Sequence, residues 1–307
     1  MINYKVHPKE KLYYTLMVII TLLIISPLIV LPVIEPLFLT IILPIAGIIL
    51  LIGLIILVSQ GLLIGLIKGA GVRVSEKQFP DLHKVIIKQC QALGIKNIPK
   101  TYIIESAILN AFATRFAGSN YMILFSELAE LILSEDVEKD VVDFVVAHEL
   151  GHIKRNHITK KLLVYPSLFV PFLPQAYSRA CEYTCDRIGT KLSPTGAVAG
   201  IKMLAAGKKL ARKLNVKAYA EQTQQGEAGF WTWISEKLST HPHLSKRITP
   251  EMLKADFIAT ASGKNTYFEE KEKPKTISST KESIDDIKKA AKPDDYQSDD
   301  HNKYLPK

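Results

Sequence analysis

Cysteine is scarce in this chain. The three in 307 residues, Cys90, Cys181 and Cys185, are too few and odd in number to make a disulfide framework, and they suit a reducing compartment. No basic run interleaved with aromatic residues occurs, which argues against a nucleic-acid partner. No internal repeat is evident. Charge is absent from two long stretches. Leu12 to Leu31 carries none, and twenty such residues are enough to cross a bilayer. The stretch is too long for a secretory signal peptide and lacks the small-residue cleavage pattern. Leu37 to Ile67 is likewise uncharged and exceeds the minimum for one span. The pattern predicts a two-helix transmembrane hairpin, with spans over about 12–31 and 37–58, then a tilted or interfacial extension carrying Gly61 and Gly65. A mean hydropathy of +0.13 agrees with part of the chain lying in lipid.

The charges that are present orient the hairpin. Lys5, Lys9 and Lys11 precede the first span, and Lys68, Arg73 and Lys77 follow the second, whereas the connecting loop carries only Glu35. By the positive-inside rule both ends, and everything after residue 68, face the cytoplasm, which predicts a multi-pass protein of the cell membrane. The formal net charge is +9, while the stretch from Asn265 to the end sums to −1, so the basic excess belongs to residues 1–264 and suits a domain resting on an anionic lipid surface. From about Ala259 onward the chain is rich in Lys, Glu, Asp and Ser and poor in large apolar residues. Residues 259–307 therefore read as a disordered charged tail.

The chemistry centres on His148-Glu149-Leu150-Gly151-His152. Histidines four apart on a helix leave the same face one turn apart, so both imidazoles can bind one tetrahedral zinc ion, with Glu149 placed to act as a base on water beside it. Ser134, Glu135 and Asp136 suit the start of that helix, and Lys160 and Lys161 lie near its end. Val137, Val141 and Val145 run into the histidines at steps of three or four, on the stripe expected to face a core. Such a motif also arises on an ordinary amphipathic helix, and it calls for a third ligand. Ser178 to Asp186 reads as a second helix capped by Ser178, with Glu182 and Asp186 one turn apart. Laid against the first helix, it could bring Glu182 to the ion while Asp186 accepts a hydrogen bond from a ligating histidine; the alternative is a solvated acidic face. Cys181 and Cys185 are ligands in principle, but they point away from the acidic pair and read as small buried helix residues.

The remaining elements are fainter. Phe79 to Leu93 has helical spacing and ends at Gly94, and Thr101–Glu105 and Tyr121–Phe125 read as short strands. Leu162 to Tyr177 is uncharged but carries Pro166, Pro171 and Pro174. It predicts a membrane-contacting re-entrant or interfacial segment, or equally a buried apolar loop, and not a third crossing. Gly200–Leu214 and Gly226–Leu238 look helical.

His148 to His152, Glu182 with Asp186, Asn110-Ala111-Phe112-Ala113-Thr114 before them, and His241-Pro242 with Arg247-Ile248 after them resemble, in that order, the M48 family of membrane zinc metallopeptidases, of HtpX-like and Ste24-like type. The resemblance covers roughly residues 75–250. It implies an α+β, predominantly helical fold: the hairpin of residues 1–68 followed by a gluzincin-type peptidase domain over 69–258. It further implies one Zn2+ per chain held by His148, His152 and Glu182, with Glu149 as general base. It places Asn110, Ala111 and Phe112 at a substrate strand, and His241 and Arg247 near the reacting carbonyl. One of these two would supply a hydrogen bond to the developing oxyanion, and Arg247 could instead grip a substrate carbonyl or pair with an acidic neighbour. The expected activity is hydrolysis of peptide bonds in polypeptide substrates, membrane proteins under quality control foremost. A processing protease with a single substrate, or a scaffold with a structural zinc, are the rival readings.

Overall fold

A computed structural model describes residues 2–134, 137–222 and 229–261, so the expected tail beyond Ala261, and Glu135 and Asp136, lie outside the described residues. The two uncharged stretches are the helices α1 (Pro8–Ile34) and α2 (Leu39–Ala70), joined by a short 3-10 turn at Pro36–Phe38. By length and composition both can cross a membrane, and they are the two described helices that can. With 27 and 32 residues they run for about 40 and 48 Å, against about 30 Å of bilayer hydrocarbon, so each has turns to spare. The spare turns are where the hairpin meets the rest of the chain. Glu10, Met17 and Thr21 are buried near the start of α1, and Ile64 and Ile67 near the end of α2, while the large apolar residues between them are exposed. The expected extension after Val58 is thus a continuation of α2 without a break.

Next come β1 (Val72–Arg73), α3 (Pro80–Leu93), β2 (Lys100–Ile104), β3 (Ala111–Phe116), β4 (Ser119–Phe125) and α4 (Ser126–Ala129). The helices α5 (Val137–Lys154), α6 (His157–Leu163), α7 (Leu173–Leu192) and α8 (Pro194–Ala211) follow. The last are α9 (Val216–Gln222), α10 (Phe230–Leu238), α11 (Leu244–Arg247) and α12 (Pro250–Ala261). Because α12 reaches Ala261, residues 259–261 are helical and not part of a tail.

The sheet runs in the order β1-β2-β4-β3, with β2 and β4 parallel and the other pairs antiparallel. Alternation along β4 divides its side chains: Met122 and Leu124 enter the main core beside α5, whereas Tyr121 and Ile123 pack on Ile64 and Ile67 of α2. The sheet therefore sits between the foot of the hairpin and α5. Strand β3 is one of its two edges.

Helices α5, α7 and α8 form the core of the domain, brought close by small residues: a side chain at Gly189 would meet the Phe144 ring at 2.7 Å, and one at Gly151 would meet Cys185 Sγ at 3.1 Å. The start of α7 corrects the sequence reading. Ser178 lies within the helix, which begins at Leu173 after Phe172 in the left-handed conformation. Proline costs nothing in the first turn of a helix, where its missing N–H has no partner to lose, so Pro174 opens α7 and does not break it. Of the segment 162–177, Val164, Ser167 and Tyr177 are buried, Val164 and Tyr177 clustering with Met17 of α1, while Leu162, Leu163 and Phe169 are exposed.

Candidate metal centre

Helix α5 carries His148 and His152 on one face, and α7, packed against it, carries Glu182 and Asp186 on the face that meets them. Ser134 Oγ donates to the Glu138 carboxylate near the start of α5. The nearest atoms form a tight ring. His148 Nε2 lies 3.3 Å from His152 Nε2 and 3.3 Å from Glu182 Oε2, and His152 Nε2 lies 3.3 Å from Glu182 Oε1. Four ligands at zinc–nitrogen and zinc–oxygen bond lengths in a tetrahedron stand about 3.3–3.4 Å from each other, so the donor set fits such an ion in both chemistry and spacing. The three residues form one of the groups able to hold a metal among the described residues.

The surroundings set their protonation. Without an ion, burial opposes charge on His148, but hydrogen bonding to Asp186 and Glu182 outweighs it and raises the imidazole to about 10. Burial works against Glu182 and Asp186 too. The histidines nevertheless hold Glu182 well below the usual range, and Arg247 and His148 hold Asp186 low. The pocket is thus built for two carboxylates facing positive charge.

Asp186 stands where the sequence placed it: Oδ1 is 3.0 Å from His148 Nδ1, the ring nitrogen turned away from the ring of donors. Arg247 takes the pairing alternative. Its Nε and Nη2 donate to the two Asp186 oxygens at 2.8 and 2.6 Å, and with 6% exposure its guanidinium is spent there and not on an open site. His241 lies at the mouth, with Nε2 3.6 Å from Glu182 Oε1 and the side chain 65% exposed. Cys181 and Cys185 are buried and free, and neither belongs to the His148, His152, Glu182 group.

Glu149 is buried beside the ring. Burial pushes its carboxyl up, opposed by His152 and His148, and the backbone amide of Ala113 donates to it. That amide comes from the sheet edge. Phe125 N donates to Asn110 O at 3.1 Å, which makes Asn110 and Phe125 a hydrogen-bonded pair; in the antiparallel register Phe112 and Thr114 then bond β4, while Ala111, Ala113 and Arg115 turn N–H and C=O outward. Of the residues expected at a substrate strand, Ala111 and Phe112 lie in β3, and Asn110 precedes it with its side-chain oxygen accepting from Ala111 N at 2.9 Å.

Two residues here escaped the sequence reading. His157 Nδ1 lies 3.1 Å from His152 Nδ1, and Glu10 Oε1 of α1 lies 3.3 Å from His157 Nε2. Burial pushes the His157 imidazole down to about 4, against the pull of Glu10. The only signal in the sequence was a lone acid at the margin of an uncharged helix.

A family model described as peptidase family M48 matches residues 76–173 and 166–250. Among curated proteins, the chain is similar to the plastoglobule-localized metallopeptidase 48 of Arabidopsis thaliana, 29% identical over 175 residues, which are 51% of this chain and 49% of that one. It is similar to a protease HtpX homolog of Helicobacter acinonychis, 24% identical over 216 residues, 57% of this chain and 67% of the relative. A protease HtpX homolog of Pyrococcus abyssi is 35% identical over 81 residues, 26% of each chain. The chain thus spans about half the length of the first of these relatives. No solved structure matches it.

Proposed function

The chain belongs to peptidase family M48, and from that premise we propose that it is a zinc-dependent endopeptidase held in the cell membrane by α1 and α2. The observation that carries the reading is the ring of His148, His152 and Glu182 at 3.3 Å spacing with a buried glutamate beside it. His148, His152 and Glu182 would hold the ion. The chemistry such an ion would supply is a bound water with its pKa lowered to about 7 and a polarised substrate carbonyl. Glu149 takes the proton of the attacking water and delivers it to the leaving amine, a double duty that suits a carboxyl raised by burial. Asp186, itself gripped by Arg247, orients His148. His241 is the exposed donor close enough to the mouth to meet the developing oxyanion, which leaves Arg247 a supporting role.

The substrate is a polypeptide in extended form. The outward carbonyls of Ala111, Ala113 and Arg115 on β3, with the Arg115 N–H, can pair with it, and the Ala113 amide bond to Glu149 sets this edge beside the base. The substrate class is membrane proteins under quality control, with the peptidase domain, residues 69–258, on the cytoplasmic side, an orientation that the lysines flanking the hairpin support. The test compares membrane proteomes of cells holding the active protein and Glu149→Gln, with metal analysis of both. One zinc per chain in both, and fragments confined to the active protein, are expected. Equal fragment sets refute the enzyme reading, and a zinc-free parent refutes the metal.

A further inference from the structure

Behind the metal centre lies a buried cluster that the chemistry above leaves unused. Glu10, 1% exposed in α1, takes hydrogen bonds from Arg155 Nε and Nη2 at 3.1 and 2.8 Å and from Thr184 Oγ1 of α7, and faces His157 Nε2 at 3.3 Å. A carboxylate buried to this depth is costly unless several partners compensate it, so its place at the foot of an apolar helix calls for a reason. A second metal ion among Glu10, His157 and Cys181, whose donor atoms fall within 4.8 Å of one another, is one candidate. The chemistry disfavours it. Arg155 already occupies the carboxylate, and burial raises the Cys181 thiol to about 12, far from the thiolate that a metal takes.

The hydrogen-bond inventory supplies a better reason. A neutral imidazole has one N–H. A metal bound through His152 Nε2 leaves that ring's proton on Nδ1, 3.1 Å from His157 Nδ1, which must then accept it; the His157 proton is thereby placed on Nε2, a buried nitrogen with no aligned hydrogen-bond partner that faces Glu10 Oε1 at 3.3 Å. We infer that Glu10 is a positioning residue for the metal centre, acting through His157 to fix the tautomer and ring angle of His152. The inference rests on His152 being a metal ligand, as proposed above. His148 Nδ1 is faced in the same way by Asp186 Oδ1, at 3.0 Å. One ligand is thus held from within the peptidase domain and the other from the membrane anchor, which makes α1 a working part of the site and not a tether.

The experiment uses the full-length protein in detergent, with zinc removed and restored. Zinc affinity is measured by chelator competition, and the visible absorption of the cobalt-loaded protein reports ligand geometry. Glu10→Gln keeps the shape of the side chain and should weaken zinc binding about 10- to 100-fold and shift the cobalt bands. His157→Gln should do the same, and the double variant should be no weaker than His157→Gln alone. Leu12→Ala, on the exposed side of the same helix, should match the parent. Parental affinity and cobalt spectrum in Glu10→Gln overturn the inference, even if its melting temperature falls, and so does a double variant in which the two losses add. Should Glu10→Gln fail to fold, parental affinity in His157→Gln overturns it equally. His152→Ala separates the two claims: if it binds zinc like the parent, the ligand assignment falls, whereas loss of zinc there with no effect at Glu10 removes only the inference.

Discussion

Arg247→Ala should destabilise the protein before it reveals anything about catalysis. Its guanidinium makes two charge-assisted bonds to Asp186, at 2.8 and 2.6 Å, and the two residues are 6% and 1% exposed. Truncation leaves a buried carboxylate facing His148 alone. Breaking a buried pair from one side costs about 3–5 kcal/mol, and each kcal/mol shifts the melting temperature of a body this size by about 2–4 °C, so the expected fall is about 6–20 °C. Removing both charges, as in Asp186→Asn with Arg247→Met, should recover most of that loss, because no uncompensated charge remains. The pH dependence has a definite sign. Burial works against the charge, but Arg247 holds Asp186 below its ordinary value of 3.8, so the pair's contribution is fully present above that value and is lost only as pH falls through the lower folded one. In the parent this contribution should therefore be the same at pH 5 and pH 8. Thermal unfolding in detergent measures it, with peptide cleavage followed in parallel. A variant that melts within about a degree of the parent yet loses about a hundredfold in turnover would put the guanidinium on the reacting carbonyl and refute the pairing argument.

Further outcomes are expected elsewhere. All three thiols are buried, with Cys90 raised to about 11 and Cys181 to about 12, so alkylation at pH 8 should modify almost none of the native protein and all three in denaturant; Cys181→Ser with Cys185→Ser should retain zinc by metal analysis. Gly189→Ala, whose new methyl would meet Phe144 at 2.7 Å, should cost about 1–3 kcal/mol by thermal melting; Gly196→Ala should cost more, because its methyl meets the Asp140 backbone oxygen, which cannot swing aside. A cysteine in place of Glu35 should react with an impermeant reagent from outside intact cells, and one replacing Lys77 should not. The reverse pattern would turn the peptidase domain outward.

Legibility from sequence followed the range of the interaction. His148 and His152 are a local pattern, fixed by one turn of α5, and Asp186 follows from Glu182 by one turn of α7. The hairpin was legible because a helix of that length in water needs a polar face, and neither stretch has one. Pro174 misled because the same residue ends a helix from inside and opens it from the first turn, and local sequence does not say which. Glu10 and His157 were invisible on other grounds. They meet only after α1 has folded back onto α6 and α7, and no spacing along the chain encodes a contact between residues so far apart.

The open edge of β3 has a consequence for what the protein can select. On the proposed function, a peptide would pair with the outward carbonyls of Ala111, Ala113 and Arg115 only if its own N–H groups were free, and in a helix each N–H is already committed to a carbonyl four residues back. A substrate helix would therefore have to surrender several of its internal bonds before it could lie along the strand, and a well-folded one would have no reason to do so. Discrimination between a sound protein and a damaged one would then need no recognition sequence. The rate of cleavage would report how often a given segment comes unwound.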